Sequence, residues 1–120
     1  MDDLTVEFVA ETREMLERIG EALLSWEARP ADAARLDEIF RFVHTVKGSC
    51  GFIDLPRIEA LAHAAETELA DVRSGGRMAD GALVGAMLAI IDRIGLLVAA
   101  LETPSTVVPD SASDALLIAA

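Results

Sequence analysis

The apolar residues of this 120-residue chain recur at helical spacing in long blocks, and short runs of helix-breaking residues separate the blocks. In the first, Phe8, Met15, Ile19, Leu23 and Trp26 mark one face of a helix running to about Ala28, since residues three, four and seven apart share a helical face. Asp2 and Asp3 can cap its start. "ARPAD" breaks it at Pro30, and a second helix runs from about Ala31 to Cys50 or a little beyond, with Leu36, Ile39, Phe40, Val43, Val46 and Cys50 inward. "GFIDLP" reads as a turn, because Pro56 disfavours helix at Leu55 and suits the first turn of a new one. The third helix then reaches about Arg73, with Ile58, Leu61, Ala62, Ala65, Leu69 and Val72 inward, and the glycine pair of "SGGRMAD" ends it. A fourth covers about Ala79–Glu102. "TPSTVVPDSAS" has linker composition, and "DALLIAA" can start a short fifth helix.

Short connections make consecutive helices antiparallel neighbours. The expected fold is therefore all-α: an antiparallel up-down four-helix bundle over residues 1–102, followed at 103–120 by a linker and a fifth helix leading to further domains of a larger protein. Composition agrees, with 52% hydrophobic residues, 4% aromatic and no tyrosine. Ala and Leu lose little entropy in a helix, whereas strands favour aromatic and β-branched residues.

A formal net charge of −11 repels nucleic acid and anionic membrane, so neither is an expected partner. The N-terminus shows no signal-peptide pattern, and the single cysteine, Cys50, fits a reducing compartment. The expected location is cytoplasmic. Residues 81–101 are apolar enough to need a membrane check, but Asp92 and Arg93 lie near their middle. Each would cost about 2.5–3.5 kcal/mol on insertion, so a core helix is expected and membrane insertion is not.

The second and third helices carry the chemistry. With each residue advancing about 100°, His44 falls roughly 120° past the centre of its apolar stripe, with Arg41, Gly48 and Gly51 on the same flank. Glu66 falls roughly 80° past the stripe of the third helix and His63 roughly 140°, in the same rotational sense. Facing two antiparallel stripes together brings these flanks to one side. His44 lies eleven residues before Leu55 and Glu66 eleven after, while Lys47 and His63 lie eight before and eight after. Both pairs are expected at matching levels.

A carboxylate accepting from one imidazole nitrogen leaves the other free as a nucleophile and stabilises the positive charge that grows during attack. Glu66 can do this for His44, and Lys47 can supply a cation to a phosphoryl group. Gly48 and Gly51 each cost about 0.5–1 kcal/mol relative to Ala inside a helix. Clearance for a partner around His44 would justify that, making Gly48, Gly51 and Arg41 the expected docking residues.

"HTVKGSCGF" followed by "LPRIEALAHAAE" resembles the histidine-containing phosphotransfer (HPt) domain, and within it the P1 domain of CheA-type chemotaxis kinases. The His-x-x-Lys-Gly core is His44, Lys47 and Gly48; the second run supplies Ile58, Leu61, His63 and Glu66. The resemblance implies that His44 is phosphorylated by an ATP-binding kinase domain and passes the group to an aspartate of CheY-like and CheB-like response regulators. Glu66 would hold the tautomer, and Lys47 and His63 would line the site. No cofactor or metal would be bound here, ATP and Mg²⁺ belonging to the kinase domain and Mg²⁺ to the regulator. Ser49 and Cys50 depart from the small residues usual at their positions. Two other readings of the residues remain: a docking bundle in which His44 is inert, and a metal-binding bundle using His44, His63 and Glu66.

Overall fold

The computed structural model describes residues 3–119, which form five helices and no strand: α1 (Asp3–Ala28), α2 (Ala33–Cys50), α3 (Pro56–Arg73), α4 (Gly81–Glu102) and α5 (Ser111–Ala119). Asp2, one of the expected caps, lies outside the described residues, and Asp3 is already in the first turn of α1. Two helices start two residues later than the periodicity predicts, because a side-chain cap decides the start. Asp32 accepts from the backbone N–H groups of Ala34 (3.1 Å) and Arg35 (3.3 Å) at the head of α2. Asp80 accepts from Leu83 N–H at 2.9 Å at the head of α4. Such caps satisfy amide groups that the first turn leaves unpaired. Pro56 opens α3, as expected, and Gly75, with φ 86°, takes the left-handed conformation just past its end.

α2 packs on α3, α1 on α2 and α4, and α3 on α4, while the backbones of α1 and α3, and of α2 and α4, stand apart on the diagonals. This is the square arrangement of an antiparallel bundle. Its core takes Trp26, Ile39, Val43, Val46, Leu61 and Leu69 from the predicted stripes and Leu83, Ile94 and Val98 from α4, all of them fully buried. Trp26 donates its indole N–H to the carbonyl of Pro30 at 3.1 Å, tying the first turn to the core.

Phe40 was expected inward and is only half-buried; Phe42 is the buried phenylalanine. Both lie roughly 80° from the stripe centre, one on each flank, so periodicity cannot rank them. Packing does. The flank of Phe42 faces α1, where it lies 4% exposed beside a groove shared with Met15 and Ile19, whereas that of Phe40 opens toward His44.

Among the described residues, only α4 is long and apolar enough to cross a membrane by length and composition. In the fold its apolar face, from Leu83 to Val98, fills the bundle core. The charges at its middle are also explained, since Asp92 is exposed and Arg93 donates to Asp114 of α5 at 2.6 Å. Arg57 of α3 grips the same carboxylate with two bonds, of 2.8 and 3.0 Å, and also the carbonyl of Pro109 at 2.8 Å. The tail therefore folds back across α3 and α4.

Candidate functional site

α2 and α3 bring three of the expected residues into one bonded group. The Nδ1 of His44 lies 2.5 Å from Oε2 of Glu66, and Lys47 donates from Nζ to Oε1 of the same carboxylate at 2.6 Å. Glu66 is the interior member, with 16% of its side chain exposed against 64% for His44. The hydrogen bond from Lys47 holds the Glu66 carboxyl below its ordinary range; burial opposes this, and the His44 bond reinforces it. An ionised carboxylate only accepts, so the proton between the two side chains belongs to His44 Nδ1. Nε2 is then left with its lone pair on the exposed edge of the ring.

Lys47 and His63 were matched in level, but Lys47 reaches one turn along to Glu66 instead. A partly buried carboxylate draws the nearest flexible cation, and a lysine stem is long enough to lean that far. His63 is exposed, and among the described residues its ring makes no hydrogen bond. It borders a separate groove with Pro56, Glu59, Thr67 and Ile118.

Gly48 is exposed, and a Cβ there would meet nothing within 4 Å, so no crowding inside the fold requires glycine. Gly51 was expected on the flank inside the helix. It is instead the C-cap of α2, donating its N–H to the carbonyl of Gly48, about two turns from His44. Arg41 is exposed on the other side of His44 from Lys47, where it borders a groove shared with Arg18 and Thr45. Cys50 is buried, and that burial, with the Glu59 charge, pushes its thiol up to about 11. It is an unreactive core residue.

The sequence reading missed a second set of contacts at the site. Phe40 lies nearly parallel to the His44 ring, with centroids 6.1 Å apart and planes 12° off. The Arg73 guanidinium sits 4.3 Å from the Phe40 centroid and pairs with Asp37 at 3.0 Å. Two signals were available: the i, i+4 spacing of Phe40 and His44, and the equal distance of Asp37 and Arg73, eighteen residues each, from Leu55.

Among the described residues, no group of three or more His, Cys, Asp or Glu is placed to hold a metal ion. The Glu66 carboxylate already has an ammonium on one oxygen and an imidazole on the other.

Comparison with known proteins fits this geometry. The chain is 31% identical over 93 residues to the chemotaxis protein CheA of Treponema pallidum, covering 78% of this chain and 12% of that protein. It is 40% identical over 75 residues to the CheA of Halobacterium salinarum, covering 62% and 11% respectively. The chain thus spans only about an eighth of these relatives. In three dimensions it is similar to the phosphorylated P1 domain of CheA3, solved in complex with CheY6 from R. sphaeroides. The TM-score is 0.82 at 25% identity, over 99% of this chain and 92% of that one. The Hpt domain model matches residues 3–103, the four bundle helices that carry His44, Lys47 and Glu66, and this chain belongs to the Hpt domain family.

Proposed function

We propose that this domain is the phosphoryl carrier of a CheA-type chemotaxis kinase, with His44 as the accepting residue. The observation that carries the reading is the bond from His44 Nδ1 to Glu66, which leaves Nε2 free and exposed. In the first step the Nε2 lone pair forms a bond to the γ-phosphorus of ATP. The P–O bond to ADP breaks, and its electron pair leaves with ADP. The ring keeps its Nδ1 proton and becomes cationic, and Glu66 stabilises that charge. In the second step an aspartate oxygen of a response regulator attacks the phosphorus, and the N–P electron pair returns to Nε2. Lys47 uses one of its three N–H donors on Glu66, so two remain to face phosphoryl oxygens. His63, Gly48 and Arg41 belong to the rim that partners approach, and Gly51 to its lower edge.

ATP and its Mg²⁺ come with the kinase domain, and the Mg²⁺ of the second step with the regulator. Regulators of the CheY and CheB types, acting in the cytoplasm, are the partners this reading names. The similarity to CheA proteins and to a phosphorylated P1 domain in complex with CheY6 supports it. The domain is substrate and donor in turn, not a catalyst by itself.

The test is incubation with a CheA-type kinase domain and γ-labelled ATP. Acid-labile, base-stable label that disappears in His44→Gln is the expected result. Label that survives the substitution overturns the assignment.

A further inference from the structure

His44 is held by one hydrogen bond and is otherwise 64% exposed. One such bond leaves the ring plane free to swing, because the terminal torsion of histidine is broad. The second restraint is the Phe40 ring, offset from the imidazole and nearly parallel to it. Phe40 is itself half-buried on an open flank, and the Arg73 guanidinium sits over its ring. Asp37, one turn before Phe40 on α2, holds Arg73 by an ion pair. The order is thus Asp37, Arg73, Phe40, His44, Glu66, crossing three times between α2 and α3.

The register makes this arrangement coherent. Asp37 and His44 are seven residues apart on α2, as are Glu66 and Arg73 on α3, so each pair lies on one face of its helix, two turns apart. Antiparallel pairing then sets Asp37 against Arg73 at a level two turns from the one where His44 meets Glu66. The two cross-helix bonds bracket Phe40.

We propose that Phe40 and Arg73 are positioning residues for phosphorylation of His44. They fix the plane of the imidazole so that Nδ1 stays on Glu66 and Nε2 stays aimed outward. The inference rests on His44 being the accepting residue. Misaligned nucleophiles lose rate steeply, and a ring stack or cation–π contact of this kind changes a rate by about threefold to tenfold. Phe40 lies beside the reacting ring, offset and nearly parallel to it, whereas Arg73 acts only through Phe40.

The experiment uses phosphoramidate as donor, because a small molecule needs no docking surface. Nε2 forms the N–P bond and ammonia leaves, so the rate reports the His44 site without partner docking. Phe40→Leu and Arg73→Gln should each slow modification of His44 by about threefold to tenfold while thermal stability changes little. Phe40→Tyr and Arg73→Lys should recover most of the rate. The double variant should be no slower than Phe40→Leu, since Arg73 has no effect once its target is gone. The ¹⁵N shifts of the His44 ring should show the Nδ1–H tautomer in the parent and a mixture in both slow variants. A merely structural role would leave these shifts unchanged. Parent-like rates and shifts in both variants, or rate losses that track lost stability, overturn the inference. A parent that is not labelled at His44 by a kinase domain and ATP would instead sink the carrier reading, so the two failures are distinct.

Discussion

Lys47 is bonded to Glu66 at 2.6 Å, one helical turn from the histidine that shares the same carboxylate. The lysine expected to stand ready for a phosphoryl group is therefore also the strongest influence keeping Glu66 ionised. In the proposed carrier, both neighbours act on His44 through this one carboxylate.

Removing either neighbour should show this dependence. Glu66→Ala should slow phosphorylation of His44 by about tenfold or more, because the tautomer and the growing charge lose their support, while helicity is retained. Lys47→Met should slow it less and cost about 1 kcal/mol of stability. A folded-state carboxyl pKa below its unfolded value contributes stability that is complete above that value, near 4.5, and is lost as pH falls through the folded value. Thermal melts from pH 7 to pH 3 should show this loss in the parent and not in Glu66→Gln. Parallel curves for the two would contradict the pairing.

Gly48 gives a prediction of opposite signs. With open space around its absent Cβ, Gly48→Ala should raise stability by about 0.5–1 kcal/mol. Gly48→Leu should fold yet slow transfer to a receiver domain severalfold, read by loss of label from the phosphorylated domain. Normal transfer by the leucine variant would remove the case for clearance.

Asp114 holds α5 through Arg57 and Arg93, and its own side chain is 9% exposed. Asp114→Ala leaves two half-buried guanidinium groups without their anion, at a cost of about 2–3 kcal/mol to the docking of α5. Hydrogen exchange should quicken over residues 111–119 and stay slow in α2 and α3. The hydrogen bond from Arg57 is the main cause of the depressed Asp114 pKa. The tail should accordingly hold above the usual aspartate value, near 3.8, and loosen as pH falls below it.

The two phenylalanines of α2 should respond differently. Phe42→Ala should cost about 3–5 kcal/mol by opening a cavity in the core, measured by denaturant unfolding. Phe40→Ala should cost less, because its ring is half-solvated.

Helix count, turn positions and the pairing of His44 with Glu66 were all legible from residue spacing. Helical angles and equal distance from Leu55 are properties of a regular helix and a short turn, and they do not depend on the neighbouring helices. The identity of the buried phenylalanine did depend on them, since Phe40 and Phe42 are symmetric about their stripe and only the position of α1 breaks the tie. The helix starts depended on Asp32 and Asp80, whose side chains override periodicity by two residues.

By itself, the sequence determined a bundle with one imidazole, one carboxylate and one lysine on the same flank of a helical hairpin. Tertiary structure decided how those groups share bonds: Lys47 on Glu66 rather than beside His63, Phe40 against His44 with Arg73 over it, and a tail folded back by Asp114. The physical reason is range. Periodicity fixes angle and height to within a turn, whereas a hydrogen bond or ring contact is decided within an ångström by flexible side chains seeking the nearest partner.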